Sequence, residues 1–198
     1  LFFGIIAVLV LMGCNQKPTS LNDLEVAIRS QLTTLDGDFA LVFKSLDDTT
    51  EHITINQFEM FHAASTMKTP VMIELFKQAK AGRFSLTDSI KVKNEFRSIV
   101  DSSRYEMDIS EDSEGELYKL IEQQRTIRDL IDDMITMSSN LATNILIEEV
   151  GATNVTETMR SYGADSILVL RGVEDIKAFE MGLSNRTNAH DEAVIYEK

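Results

Sequence analysis

The chain has 198 residues, enough for one domain of ordinary size or two small ones. Its composition, 43% hydrophobic and 26% charged, is that of a globular protein. A formal net charge of −13, with no cluster of basic residues, argues against a nucleic-acid partner, because phosphate binding needs a basic surface. The three histidines are scattered and there is one cysteine, so we expect no metal, no other cofactor and no intrachain disulfide.

The first segment of the chain, residues 1–12, is almost wholly apolar. A run of this length is too short to span a bilayer as a helix, and it has the length of a signal-peptide core. Neither an initiator methionine nor basic residues precede it. We therefore expect that the sequence begins inside a longer one.

The end of this apolar run, Leu11-Met12-Gly13-Cys14, resembles the lipobox of bacterial lipoproteins, in which the cysteine is lipidated. The alternative is a buried apolar strand with an incidental cysteine. A polar linker over residues 15–20 follows directly, which favours the lipobox. The resemblance implies a signal peptide over residues 1–14, lipidation at Cys14, and a body anchored to the bacterial cell envelope on its periplasmic or extracellular face.

Periodicity and turn residues predict the elements of the body up to residue 82. Ser20 is the expected cap of the first helix, and Gly82 is the expected end of the helix that contains Ser65. We predict a helix over residues 21–35, a β-hairpin with strands over residues 39–46 and 52–61, and a helix that contains Ser65.

The second half of the chain reads as mostly helical. Helices are predicted over residues 117–124, 126–137, 141–150 and 153–162, a loop over residues 171–187, and a last helix from residue 188 to the end. Six acidic residues crowd residues 106–116. They form either a cation or substrate patch or, as we favour, a solvated surface loop.

Two residues near the start of the predicted helix that ends at Gly82 could carry nucleophilic chemistry. Ser65 and Lys68 lie three residues apart, so a helix places them on one face, about 5–6 Å apart at Cβ. A lysine whose pKa is lowered by burial can take the proton of a serine hydroxyl. The alternative is a capped amphipathic helix with an exposed lysine.

A second group of polar residues, Ser138-Ser139-Asn140, lies between two apolar helical segments. A hydroxyl and an amide two residues apart at such a junction are placed to line a cleft. Alternatively, the two serines simply cap the next helix.

Together, Ser65-Thr66-Met67-Lys68 and the later Ile-Thr-Met-Ser-Ser-Asn-Leu-Ala-Thr-Asn of residues 135–144 resemble the serine β-lactamases and penicillin-binding proteins, class A above all. Thr126-Ile127-Arg128-Asp129-Leu130 resembles the class A pattern as well. The resemblance implies an α/β (α+β) fold, with an antiparallel sheet flanked by helices beside an all-helical lobe. The family's third motif, K-T-G, and its last strands and helix would lie beyond residue 198, so we expect residues 21–198 to be a partial domain.

The resemblance also implies a role for each matching residue. Ser65 would be the acylated nucleophile, and Lys68 its base or proton relay. Ser138 would pass a proton to the leaving nitrogen, and Asn140 would hold Lys68 and the substrate's side-chain amide. Class A enzymes usually have aspartate in the middle of this triplet, where this chain has Ser139.

Class A enzymes hydrolyse the acyl-enzyme with water that a loop glutamate activates. The corresponding loop, residues 171–185, is short and begins with Arg171, which resembles the arginine that anchors it. Glu180, with Leu183, partly resembles the usual E-x-x-L-N pattern, and we select it as the catalytic glutamate. Glu174 is the alternative, because of its separation from Arg171 along the sequence.

The leading functional hypothesis is therefore a class A-like β-lactamase. Its first alternative is a D-alanyl-D-alanine carboxypeptidase or esterase of the same superfamily, because slow deacylation separates penicillin-binding proteins from lactamases. A lipoprotein that only binds or senses β-lactams is the second. We expect a small-molecule substrate, either a β-lactam or a peptidoglycan peptide, and a lipid-anchored monomer.

Overall fold

The computed structural model describes residues 20–198, so the predicted signal peptide, Cys14 and most of the linker lie outside the described residues. The described part contains helices, two 3-10 turns and short strands. The helices are α1 (Leu21–Leu32), α2 (Lys68–Lys80), α3 (Ile127–Thr136), α4 (Asn140–Val150), α5 (Ala152–Ser161), α6 (Ile176–Glu180) and α7 (Ala189–Tyr196). The strands are β1 (Leu41–Lys44), β2 (His52–Ile55), β3 (Phe61–His62), β4 (Ser89–Lys91), β5 (Phe96–Arg97), β6 (Arg104–Tyr105), β7 (Gln124–Thr126) and β8 (Arg186–Thr187).

Side-chain caps set the start of several helices, as the sequence predicts. Ser20 Oγ accepts from the Asp23 N–H at 3.1 Å at the start of α1, and the Asn188 side chain caps α7 through the Asp191 N–H at 2.7 Å. After α2, Gly82 has φ +75°, the left-handed conformation that glycine adopts at a helix end. The predicted first helix is confirmed, but it ends at Leu32 rather than near residue 35.

The strands of the described residues pair antiparallel, two at a time: β1 with β2, β3 with β8, β4 with β7, and β5 with β6. The predicted hairpin is confirmed with shorter strands, in which Leu41 lies opposite Ile55. Its turn is held by Asp48, whose Oδ1 accepts from the Thr50 N–H at 2.9 Å. The β3–β8 pair joins the segment just before Ser65 to the end of the loop at residues 171–185.

The hydrophobic core surrounds α4. Helices α2 and α3 both pack on α4, and α5 packs on α2. Leu141 and Leu146 of α4 are fully buried, as are Leu75 of α2 and Leu130 of α3. Burial of one such leucine stabilises the fold by about 1.5–3 kcal/mol. Because α4 is buried on most of its surface, with residues 141–147 and Val150 all buried, it forms the centre of the helical part and fixes the elements on either side of the site.

Two parts of the chain differ from the sequence-based prediction. Residues 117–124, predicted as a helix, form a 3-10 turn (Leu117–Leu120) that leads into β7. Residues 171–187, predicted as a loop, contain α6 and β8. Helix α6 has five residues, too few for an apolar period to be visible, and it is capped by Asp175, which accepts from the Ala178 N–H at 3.2 Å. Among residues 20–198, no helix has the length and apolar character needed to cross a membrane.

Candidate active site

Ser65 lies in a short 3-10 turn, Ala64–Met67, rather than within an α-helix as predicted. Helix α2 follows directly and begins at Lys68. Met67 is buried at 2% exposure and anchors the turn in the core, whereas Ser65 is exposed. The turn therefore presents the serine to solvent and directs the lysine inward.

Lys68 is 3% exposed and lies at the centre of a hydrogen-bonded cluster. Its Nζ lies 3.2 Å from Ser65 Oγ, 2.9 Å from Ser138 Oγ and 3.1 Å from Asn140 Oδ1. The Ser138 carbonyl oxygen also accepts from Nζ, at 2.5 Å. The alternative of an exposed lysine on a capped helix is therefore wrong, and the four residues singled out from the sequence lie together.

Burial lowers the pKa of Lys68 from its ordinary value, because an ammonium group loses hydration in the interior. The negative charge of Asp112 acts in the opposite direction and raises the pKa, but burial is the larger effect. A lysine with a lowered pKa is neutral at lower pH than an exposed lysine. It can then accept a proton from a neighbouring hydroxyl.

The turn between α3 and α4 directs Ser138 toward Ser65. Ser138 has φ +57°, a left-handed conformation that is strained for a residue other than glycine and occurs often at active sites. Its Oγ lies 3.2 Å from Ser65 Oγ, within hydrogen-bond distance. The helix cap is made by Ser139 instead, which accepts from the Ala142 N–H at 3.2 Å. The capping alternative thus holds for Ser139 and not for Ser138.

Of the two candidate glutamates, the structure places Glu174 beside the cluster. Glu174 Oε1 accepts from Asn140 Nδ2 at 3.3 Å, and Oε2 accepts from the Asp108 N–H at 3.0 Å. Glu180 is the last residue of α6, and its exposed side chain makes no hydrogen bond with the described residues. The geometry therefore favours Glu174, the alternative in the sequence analysis, over Glu180 as the candidate base.

The segment just before Glu174 is fixed to α4 by one buried side chain. Asn144 accepts from the Val173 N–H at 2.6 Å and donates to the Val173 carbonyl at 3.0 Å. The backbone comes so close that a Cβ on Gly172 would lie 2.2 Å from Asn144 Oδ1. Only glycine fits this approach without movement of the loop or of Asn144.

The rest of the loop has two further attachments. Asp175 is buried and accepts from Ser98 Oγ at 2.8 Å and from the Ile99 N–H at 2.9 Å. At the neck of the loop, the Arg171 guanidinium donates to the Leu183 carbonyl at 2.9 Å. Arg171 thus joins the two ends of the loop, as its resemblance to the family's anchoring arginine implies. The residues on both sides of Glu174, Val173 and Asp175, are therefore both held by hydrogen bonds.

A cavity of about 560 Å³ opens next to Asn140 and Glu174. Its other walls come from the β5–β6 hairpin and the following loop, including Tyr105 and Glu111, and from Lys177 of α6. It has room for part of a small organic substrate beside the cluster. In the described part of the chain, no three or more histidine, cysteine, aspartate or glutamate side chains are grouped so as to hold a metal ion.

One residue of the site was not identified from the sequence. Asp112 belongs to the acidic stretch that was expected to be a solvated loop, yet its two carboxylate oxygens accept from the Asn140 N–H at 2.9 Å and the Leu141 N–H at 2.8 Å. The partners lie 28 and 29 residues further along the chain. No local sequence pattern signals such a contact.

The chain belongs to the beta-lactamase enzyme family, since the model of that family matches residues 23–198. The suspected family is therefore confirmed. A search of curated proteins finds no match to the chain.

Solved structures confirm the β-lactamase/transpeptidase-like fold. A β-lactamase from Chitinophaga pinensis DSM 2588 has a TM-score of 0.71 at 19% identity, over 89% of this chain and 62% of that chain. A β-lactamase from Sphaerobacter thermophilus DSM 20745 has a TM-score of 0.66 at 24% identity, over 86% of this chain and 59% of that chain. PBP-A gives 0.69 at 22% identity, over 88% and 60%. The chain thus spans about three fifths of the length of these structures.

Proposed function

We propose that the protein is a serine hydrolase that opens β-lactam rings through an acyl-enzyme on Ser65, in the manner of class A β-lactamases. The observation that carries this proposal is the position of Lys68. Its buried Nζ lies within hydrogen-bond distance of both Ser65 Oγ and Ser138 Oγ. A lysine buried between two hydroxyls has little structural purpose, because burial of an ammonium group is costly.

In the acylation step, neutral Lys68 accepts the proton of the Ser65 hydroxyl. Ser65 Oγ attacks the lactam carbonyl carbon, and the C–N bond of the ring breaks. The proton reaches the leaving nitrogen through Ser138, whose Oγ lies 2.9 Å from Lys68 Nζ and 3.2 Å from Ser65 Oγ. The Ser65 N–H lies in the first turn of the helical segment, where amide groups are open to a developing oxyanion.

Release of the acyl group needs a base that activates a water molecule. We assign this role to Glu174, which the bond to Asn140 Nδ2 holds at the edge of the cluster. A carboxylate has about four lone-pair positions, so Glu174 can accept from a water molecule in addition to its two present donors. The products are the ring-opened acid and free Ser65.

A second candidate function is a D-alanyl-D-alanine carboxypeptidase or esterase with the same nucleophile. The observation that favours it is the bonding of Glu174, whose carboxylate contacts Asn140 and the Asp108 N–H but neither Ser65 nor Lys68. If the water is not well placed in the acyl-enzyme, release is slow, which is the behaviour of a penicillin-binding protein. PBP-A, one of the solved structures above, has been determined in a mutant form as an acyl-enzyme complex with penicillin G.

We further propose that the protein works at the bacterial cell envelope as a monomer anchored through lipid on Cys14. This follows from the lipobox resemblance and the polar linker. Both candidate substrates, a β-lactam and a peptidoglycan peptide, are encountered outside the cytoplasmic membrane.

A fluorescent penicillin tests the proposed nucleophile in the protein expressed from its complete gene. We expect a covalent label on Ser65 that survives denaturation and disappears in Ser65→Ala. Ser161→Ala is the control, because Ser161 is an exposed serine of α5 that bonds only the Thr158 carbonyl. A label that persists in a folded Ser65→Ala variant would show that the nucleophile is another residue.

A further inference from the structure

The acidic loop before α4 makes a specific contact with the site through Asp112. The two carboxylate oxygens accept from two consecutive amides, the N–H groups of Asn140 and Leu141, at 2.9 and 2.8 Å. The carboxylate is itself held in place by the Tyr118 hydroxyl, which donates at 3.0 Å, and by the Glu114 N–H at 3.2 Å. Asp112 is therefore a fixed part of the site and not a mobile surface charge.

This contact supports the residues that hold Lys68. The first amides of a helix have no carbonyl partner within it, and the Ser139 side chain supplies an acceptor for only one of them. Asp112 supplies two more. The backbone that it fixes carries Ser138 and Asn140, both of which accept from Lys68. A neighbouring hydroxyl, Ser113 Oγ, also donates to the Ser138 carbonyl, at 3.4 Å.

We propose that Asp112 is a positioning residue of the Ser65 site, which holds the Ser138–Asn140 turn against Lys68 and places a negative charge near the ammonium group. The proposal deepens the proposed function, because it concerns the residue that acts there as base. It also fits the absence of a carboxylate inside the triplet, where Ser139 stands in this chain.

The charges around Lys68 are few. The groups that bond Nζ directly, on Ser65, Ser138 and Asn140, are neutral. Asp112 approaches from the acidic loop, and Glu174 lies on the far side of Asn140. Burial lowers the pKa of Lys68 and the charge of Asp112 raises it. Loss of the Asp112 charge should therefore lower this pKa further, so that Lys68 becomes neutral at lower pH.

The test is a direct titration of Lys68, observed by NMR through ¹³C at its Cε, in the protein expressed from its complete gene. The signal is assigned by its loss in Lys68→Arg. We expect a lower titration midpoint in Asp112→Asn than in the unmutated protein. We expect the midpoint of Asp112→Glu to stay close to that of the unmutated protein, because its charge is retained. Asp112→Ser is a second neutral variant, which keeps one side-chain oxygen as a hydrogen-bond acceptor.

Glu114→Gln is the matched control. Glu114 lies in the same loop and accepts in the same way from two backbone amides, those of Glu116 at 2.5 Å and Leu117 at 2.9 Å. This variant should lose thermal stability while the Lys68 midpoint stays unchanged. Amide exchange at Asn140 and Leu141 should become faster in Asp112→Asn and not in Glu114→Gln.

Acylation by a penicillin gives an independent measure. A shift of a reacting group by about 1 Å can slow a reaction about 100-fold, so we expect Asp112→Asn to slow acylation by about 10- to 100-fold at a pH above both midpoints, where Lys68 is neutral in both proteins. An unchanged Lys68 midpoint in a folded neutral variant overturns the proposal, whatever its stability. Because the titration needs no substrate, it remains decisive even if Ser65 is not acylated and the proposed function fails.

Discussion

At the scale of single residues, the proposed mechanism assigns the activation of Ser65 to Lys68. Its replacement by methionine keeps much of the side-chain volume but removes the proton acceptor. Proton transfer by a placed side chain contributes about 10²–10⁴-fold, so Lys68→Met should slow acylation by about that factor. Stopped-flow kinetics with a chromogenic cephalosporin measure the rate. Lys80→Met is the control on the same helix, since Lys80 is exposed, and its rate should stay near that of the unmutated protein.

We also expect Lys68 to make the acylation rate depend on pH. Burial lowers the pKa of Lys68 from its ordinary value of 10.5, and the neutral, reactive form gains population as pH rises through the lowered pKa. The acylation rate of the unmutated protein should therefore rise with pH along a limb that lies below 10.5, and Lys68→Met should lack this limb. A rate that does not change with pH over this range would exclude Lys68 as the base.

We predict different effects on release of the acyl group when each of the two loop glutamates is replaced by glutamine. Glu174→Gln keeps the shape of the side chain but removes the proton acceptor, so we expect normal acylation and a trapped adduct. Glu180→Gln should release the adduct as fast as the unmutated protein, because the Glu180 side chain is exposed and makes no hydrogen bond with the described residues of the cluster. Mass spectrometry after mixing with a penicillin distinguishes the two.

An adduct that already persists for hours in the unmutated protein would show that neither glutamate activates water. The carboxypeptidase or esterase candidate would then replace the lactamase.

The sequence motifs group the candidate residues of the site. Ser65 lies close to Lys68, and Ser138 to Asn140, and the family resemblance that the two motifs carry together, rather than either spacing alone, singles these residues out. The sequence does not show which of the two loop glutamates lies beside the cluster, because the positions of Glu174 and Glu180 depend on α6, whose five residues show no period. Asp112 could not be found at all, since its contact joins a loop to a helix that starts 28 residues later.

At the scale of elements, the position of the loop that carries Glu174 depends on the close approach of Gly172 to Asn144 of α4. Gly172→Ala would place a Cβ 2.2 Å from Asn144 Oδ1, so the bonds between Asn144 and Val173 must lengthen or break. Overpacking of this kind costs about 1–3 kcal/mol. We expect lower stability in urea unfolding and slower release of the acyl group.

Gly115→Ala is the control for this prediction. A Cβ there would meet nothing closer than an Ile109 side-chain carbon at 3.7 Å, an ordinary contact. This variant should keep both its stability and its rate of release. If Gly172→Ala also keeps both, the approach of the loop to α4 is not a constraint on Glu174.

Helices and hairpins were predicted correctly where the chain itself specifies them. Caps such as Ser20 and Asn188, and the turn at Asp48, act over two or three residues and are visible in the sequence. The β3–β8 pair is not, because its two strands come from segments far apart in the chain. The cap of α6 spans only three residues, but the side chain that makes it, Asp175, also bonds Ser98, which lies 77 residues earlier.

At the scale of the whole molecule, the proposed place of action rests on Cys14, outside the described residues. Each buried methylene of an acyl chain contributes about 0.8 kcal/mol, and stable anchoring needs more than one chain. Cys14 is the only cysteine among these 198 residues, so a lipid label that is lost in Cys14→Ser reports on it. We expect the unmutated protein in the membrane fraction of cells and labelled by a palmitate analogue, and Cys14→Ser unlabelled, in a soluble or unprocessed form.

Ser20→Ala is the matched control for this last experiment. It lies at the end of the same linker and removes only the cap of α1, through the bond to the Asp23 N–H. A lost cap costs about 1 kcal/mol and should leave membrane attachment intact. Because the proposed catalytic cluster lies in α2, α4 and the segments beside them, Cys14→Ser should still be labelled by a penicillin. Unchanged fractionation of Cys14→Ser would contradict the lipobox and, with it, the proposed anchor.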